Sequence, residues 1–131
     1  MSEKPHKKLE AWKRSIEITT QVYRLTEKLP EAEKFGLVSQ MRRAAVSVAS
    51  NIAEGAARNT KKEFIQFLHN SQGSLSELDT QVLICKNLGY VCEAEVSAIT
   101  NEMETASRLI SGLIKALRRA TGQQGIVSKE Q

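Results

Sequence analysis

Arg43, Ser47, Ser50, Asn51, Glu54 and Arg58 recur at steps of three and four, the spacing that lines side chains along one face of a helix. Two guanidinium groups, an amide and hydroxyls on such a face can hold phosphate, with Glu54 orienting Arg58 four residues on. The same residues can equally form a polar contact between helices or subunits, with Ser50, Asn51, Glu54 and Gly55 fixing its register. Glu54 has no evident partner group, so it is not a candidate general acid.

The chain carries 19 Lys+Arg against 15 Asp+Glu, a formal net charge of +4. Residues 1–62 hold 13 basic and 7 acidic side chains, whereas residues 63–131 hold 6 and 8. Clusters at Lys4/Lys7/Lys8, Lys13/Arg14, Arg42/Arg43 and Arg58/Lys61/Lys62, with a smaller set at Lys115/Arg118/Arg119, form the footprint of a polyanion-binding protein. Lys7, Lys8, Lys13, Arg14, Arg42, Arg43, Arg58, Lys61 and Lys62 are the candidate nucleic-acid contacts. Aromatic residues for stacking on bases are scarce, and Trp12, Tyr23, Tyr90 and the three Phe fall mostly at core-like positions. Backbone-directed binding is therefore expected over sequence-specific single-strand readout.

Catalytic inventory is thin. The sequence has no GxxxxGK[ST] loop, HExxH, GxSxG or paired CxxC. Its histidines, His6 and His69, do not complete the inward Glu-x-x-His pairs of a di-metal bundle, because Gln66 precedes His69 and Pro5 interrupts the first pair. No metal, cofactor or enzymatic activity is expected, and His69 reads as a surface or interface residue. Cys85 and Cys92 fit no common zinc spacing or disulfide framework and read as reduced, small apolar groups. The sequence offers neither the apolar stretch of a signal peptide nor a membrane-length apolar run, and a cytoplasmic location is expected.

The elements carrying these residues are helices. Pro5 and Pro30 are the only prolines, so roughly a hundred residues after Pro30 contain no obligate helix breaker. Apolar periodicity predicts helices over about Lys8–Leu29, Phe35–Ala57, Thr60–Gly89 and Glu93–Ala120. Thr60-Lys61-Lys62-Glu63 has the form of a capping box, with the Glu63 carboxylate reaching back, and Gly89 and Gly122 stand where left-handed caps belong. Small residues between Ala44 and Ala53 predict close helix approach. The resulting class is all-α, an antiparallel up-down four-helix bundle over residues 8–121, with a flexible basic tail at 1–7 and a disordered tail at 122–131.

The apolar arcs are wider than one core needs. Ile16 stands beside Ile18, Val22 beside Tyr23, and helix three presents both Phe64–Leu68 and Val82–Cys85. A helix facing one core needs a stripe of roughly 100°. The surplus predicts a second buried surface, most simply self-association.

Leu9-Glu10-Ala11-Trp12-Lys13, Leu29-Pro30, Phe35-Gly36-Leu37, Gln40 to Val48, Ser50-Asn51-Ile52-Ala53-Glu54-Gly55, Lys62-Glu63-Phe64, Gly73 to Leu78 and Leu88-Gly89-Tyr90 carry a family resemblance. Over about residues 8–120 the chain resembles the bacterial four-helix-bundle family encoded in intervening sequences of 23S ribosomal RNA genes, once called S23 ribosomal proteins. The resemblance implies a ring-like homopentamer with a positively charged surface and no assigned reaction. It is also similar to the accessory variability determinant of diversity-generating retroelements, a fold relative that associates with a reverse transcriptase and binds nucleic acid. The expected function is thus a non-enzymatic, RNA-directed homo-oligomer; the alternative is an accessory subunit docking a reverse transcriptase.

Overall fold

The computed structural model describes residues 4–122, so expectations for residues 1–3 and 123–131 lie outside the described residues. Four helices are present: α1 Glu10–Thr26, α2 Ser39–Ala56, α3 Lys61–Asn87 and α4 Glu93–Thr121. No strand occurs among the described residues. Each helix packs against the next and α4 returns to α1, with the α2–α3 contact the most extensive. This is the up-down arrangement expected from four long helices on short connections.

Local chemistry sets the boundaries. The α1 helix stops at Thr26, short of the expected Leu29: the N–H groups of Lys28 and Leu29 turn back to the carbonyls of Leu25 and Thr26 before Pro30. Residues Glu31–Glu33 form a 3₁₀ turn and Lys34–Val38 a π turn, interrupted by Gly36 at φ −108 and ψ −108. The regular α2 helix therefore begins at Ser39, later than the periodicity suggested. Before α1, Pro5–Lys8 forms a 3₁₀ turn packed against α2, with the His6 ring 5.0 Å from that of Trp12.

Thr60 caps α3 by accepting the N–H of Glu63 at 3.1 Å. The Glu63 carboxylate meets the Thr60 hydroxyl at 3.0 Å and does not take the backbone N–H of the expected box. At the other end, Gly89 has φ +78, which lets the N–H of Tyr90 reach the carbonyl of Cys85 at 2.9 Å. Its 27 residues give α3 a length of about 40 Å. The α4 helix starts at a box the sequence reading missed, in which the N–H of Cys92 donates to Glu95 Oε1 at 3.0 Å.

Ile18, Val22, Met41, Val48, Ile52, Leu68, Leu78, Val82 and Ile110 fill the interior. Buried hydroxyls are satisfied locally: Ser15 donates to the carbonyl of Ala11 and Thr26 to that of Val22, each at 2.7 Å. The two apolar stripes of α1 separate cleanly. Ile18, Val22, Leu25 and Leu29 face the core, whereas Ile16 and Tyr23 remain 43% and 41% exposed. The placement of aromatics in the core needs correction at Phe35, which is 89% exposed because the π turn carries it outward.

Candidate nucleic-acid interface

Antiparallel pairing decides which charges meet. Gly55 on α2 abuts Phe64 and Phe67 on α3. His69 on α3 meets Arg118 on α4 at 3.2 Å, and Leu9–Ala11 line a cleft with Leu109, Gly112 and Leu113 of α4. The starts of α1 and α3 and the ends of α2 and α4 thus share one end of the bundle. That end gathers Lys4, Lys13, Arg58, Lys61, Lys62, Lys115, Arg118 and Arg119, three clusters that lie far apart along the chain. At the other end Glu27, Glu31, Glu33, Glu93 and Glu95 stand with Lys28, Lys34 and Lys86, which pair with Glu95, Glu31 and Glu93.

Within the basic end, some cations are oriented and others are free. Arg58 pairs with Glu54 at 3.6 Å and lies over the Phe67 ring at 4.7 Å, so Glu54 orients this guanidinium as the spacing suggested. Lys13 reaches Glu10 at 3.5 Å. Arg118 can only donate, so Nε2 of His69 is the acceptor in their contact. Lys61, Lys62, Lys115 and Arg119 make no ion pair among the described residues, and all four are exposed. Lys7 and Lys8 belong to the Pro5–Lys8 turn at the same end, but their side chains lie outside the described residues.

Three candidate cations stand elsewhere. Arg14 pairs with Glu102 at 3.1 Å, joining α1 to α4. Arg42 is committed to the end of α1: Nε donates to Thr26 Oγ1 at 2.9 Å, Nη2 donates to the carbonyl of Tyr23 at 3.3 Å, and the guanidinium stacks 4.5 Å from the Tyr23 ring. Arg42 thus adds a charged donor to the Tyr23 carbonyl near the end of α1, which also accepts the Glu27 N–H. Arg43 is exposed near the start of α2, away from the basic end.

Within the polar stripe on α2, Ser47 and Asn51 are hydrogen-bonded inside the protein, whereas Arg43, Ser50, Glu54 and Arg58 are exposed. Asn51 Nδ2 donates to the carbonyl and the hydroxyl of Ser47 at 2.8 and 3.0 Å, and Ser74 on α3 donates to the Ser47 hydroxyl at 2.9 Å. Ser71 adds a bond to the carbonyl of Val48 at 2.8 Å. The Asn51 bonds stay within α2, while Ser47, Ser71 and Ser74 bond across the α2–α3 contact, whose close spacing Gly55 permits. Ser50 points away from it, toward the cleft between α1 and α2.

A family model described as 23S rRNA-intervening sequence protein matches residues 7–112. The chain belongs to this family. A crystal structure of a protein of unknown function from the S23 ribosomal protein family of Bacteroides thetaiotaomicron superposes with a TM-score of 0.74 at 21% identity. That similarity covers 80% of this chain and 95% of the other, and it concerns the fold. No match is found among curated proteins.

In this member of the 23S rRNA-intervening sequence family, the matched stretch ends before Lys115, Arg118 and Arg119. Those three complete the basic end, and the sequence reading left them outside the candidate contacts. The available signal was topological: in an up-down bundle the end of α4 must land beside the starts of α1 and α3. Among the described residues no group of three or more His, Cys, Asp or Glu is placed to hold a metal ion, and no helix is long and apolar enough to cross a membrane.

The opposite end is held by paired groups. Lys28 donates to Glu95, whose carboxyl is lowered to about 2, first by the N–H of Cys92 and then by Lys28. Lys28 is raised in turn by that hydrogen bond. The Tyr90 hydroxyl donates to Glu33 Oε2 at 3.0 Å, and this bond raises the phenol. Burial raises the Cys85 thiol, which sits 3.5 Å from the Met41 sulfur.

Proposed function

We propose that this 23S rRNA-intervening sequence protein is a non-enzymatic, RNA-directed nucleic-acid-binding protein of the cytoplasm, working as a homo-oligomer, with a pentamer as the expected assembly. The observation that carries the reading is the convergence of three basic clusters on one bundle end, with Lys61, Lys62, Lys115 and Arg119 unpaired among the described residues. Such a surface attracts polyanions by releasing counterions, and repetition around an oligomer multiplies the field. The end has no row of exposed aromatics to stack bases, so the contact is with the phosphate backbone and its shape.

Fluorescence anisotropy with a labelled RNA hairpin tests this. Affinity should fall steeply between about 50 and 200 mM salt, and Lys61→Glu/Lys62→Glu/Arg119→Glu should abolish binding with helicity unchanged. Salt-independent binding, or unaltered binding by that triple variant, overturns the reading. A salt-insensitive complex with a reverse transcriptase would instead favour the accessory-subunit alternative.

A further inference from the structure

Arg118 and His69 meet across α3 and α4 at the basic end, Nη2 against Nε2 at 3.2 Å. A guanidinium carries donors alone, so the imidazole is neutral in this contact, with its proton on Nδ1. The bond uses the free lone pair of His69 and commits one donor of Arg118. Neither side chain is then fully available to a phosphate.

Histidine is the side chain whose charge changes between about pH 5 and 8. A proton on Nε2 removes the acceptor and sets an imidazolium against the guanidinium. The surroundings leave the balancing charge to be supplied from outside. On α3, His69 is the sole titratable group between Glu63 and Glu77. On α4, Lys115 and Arg119 lie within a turn of Arg118, and no carboxylate stands between Glu104 and the end of the helix. From α2, the other helix packed on α3, the charges at this end are Glu54 and Arg58, which pair with each other. Glu63 is bonded to the Thr60 hydroxyl.

We propose that His69 and Arg118 form a phosphate-binding pair switched by one proton. When Nε2 takes a proton from solvent, the bond between the two side chains is lost and both become donors, so that one backbone phosphate can accept from both. The inference rests on the nucleic-acid reading above and adds His69 to its contacts, with a pH dependence attached. Affinity for RNA rises as pH falls, because the bound state holds the proton more firmly than the free state. Phosphodiesters stay ionised throughout this range, so the proton is taken up by the protein. His6, the other histidine, stands at the same end against Trp12 and needs its own control.

Anisotropy titrations of the full chain with the labelled RNA hairpin, at one salt concentration and at about pH 7.5 and 5.5, test the pair. The wild type and His6→Gln should bind about fivefold more tightly at the lower pH. His69→Gln keeps an oxygen to accept from Arg118 but takes no proton, so it should match the wild type at the higher pH and lose the gain at the lower. His69→Lys carries its charge at both and should bind at the acid affinity throughout. His69 is exposed, so circular dichroism should be the same for all four proteins. A gain that survives in His69→Gln, or a wild type with the same affinity at both pH values, overturns the pair while RNA binding stands. A wild type that binds no RNA at either pH overturns both.

Discussion

A Cβ on Gly55 would lie 2.7 Å from the Cβ of Phe67, closer than real Cβ contacts come, and 2.9 Å from the ring of Phe64. The α2 and α3 backbones approach each other there because one partner has no side chain. Gly55→Ala gains helix propensity but forces the helices apart, and overpacking of this kind costs about 1–3 kcal/mol. Gly55→Leu should be far worse and leave little folded protein. Urea unfolding followed by circular dichroism checks both, and an unchanged midpoint for Gly55→Ala would mean that the contact relaxes freely.

Arg42 and Lys62 looked alike in the sequence as members of basic clusters, and the structure gives them different surroundings. Arg42 supplies donors to the end of α1 and stacks on Tyr23, while Lys62 is exposed at the basic end. Arg42→Ala should lower stability by about 1.5–3 kcal/mol, the range for hydrogen bonds from a charged group, with RNA affinity unchanged in the folded protein. Lys62→Ala should leave the unfolding midpoint in place and reduce the salt slope of RNA binding by about one. Parallel denaturation and anisotropy titrations separate the two effects.

Much of the architecture was legible because its signals are local. Thr60 with Glu63, Pro30, Gly89 and Gly122 each act within a few residues, and the spacing of apolar residues gives four helices directly. The α2 start was less legible, since the turn at Lys34–Val38 depends on Glu33 being held by Tyr90 from a distant connection. The polar stripe was ambiguous for a similar reason. Ser47 suits a phosphate as well as it suits Ser74, and its bond to Ser74 follows from the position of α3, which no local spacing reveals. The contacts of Arg42 were not legible because a cluster of charges carries no mark of which member reaches a neighbouring helix. Cys92 was missed as a cap since a thiol is a poor stand-in for Ser or Thr, although the Glu95 partner was in place.

The two thiols should report separately on the native state. Cys92 is exposed at the start of α4, whereas Cys85 is fully buried against Met41 with its thiol raised by that burial. Thiolate is the reactive form, so one thiol should react rapidly with a colorimetric disulfide reagent at neutral pH and the second should wait for opening. The slow phase should accelerate in urea in step with unfolding, and Cys92→Ser should remove the fast phase alone. Two fast phases in the native protein would place Cys85 within easy reach of solvent. Serine is also the better cap, so Cys92→Ser should stabilise α4 by about 0.5 kcal/mol.

Glu95 makes acid sensitivity a test of the α1–α4 contact. Its carboxyl is lowered from the ordinary 4.5 to about 2 by the N–H of Cys92 and by Lys28. A carboxyl with a depressed folded value adds stability above its unfolded value and loses it as pH falls. The contribution is therefore complete above about pH 4.5 and fades toward pH 2. Glu95→Gln keeps an acceptor for the Cys92 N–H but discards the charge, which isolates the electrostatic part. The wild type should melt about 2 °C above Glu95→Gln at pH 6, and the gap should narrow as pH drops below about 4.5 and close toward pH 2. Salt at neutral pH should narrow the same gap, because the Lys28 side of the pair is exposed. A difference that stays constant from pH 6 to pH 3 would mean that Glu95 acts through its shape and hydrogen bond, with no contribution from its charge.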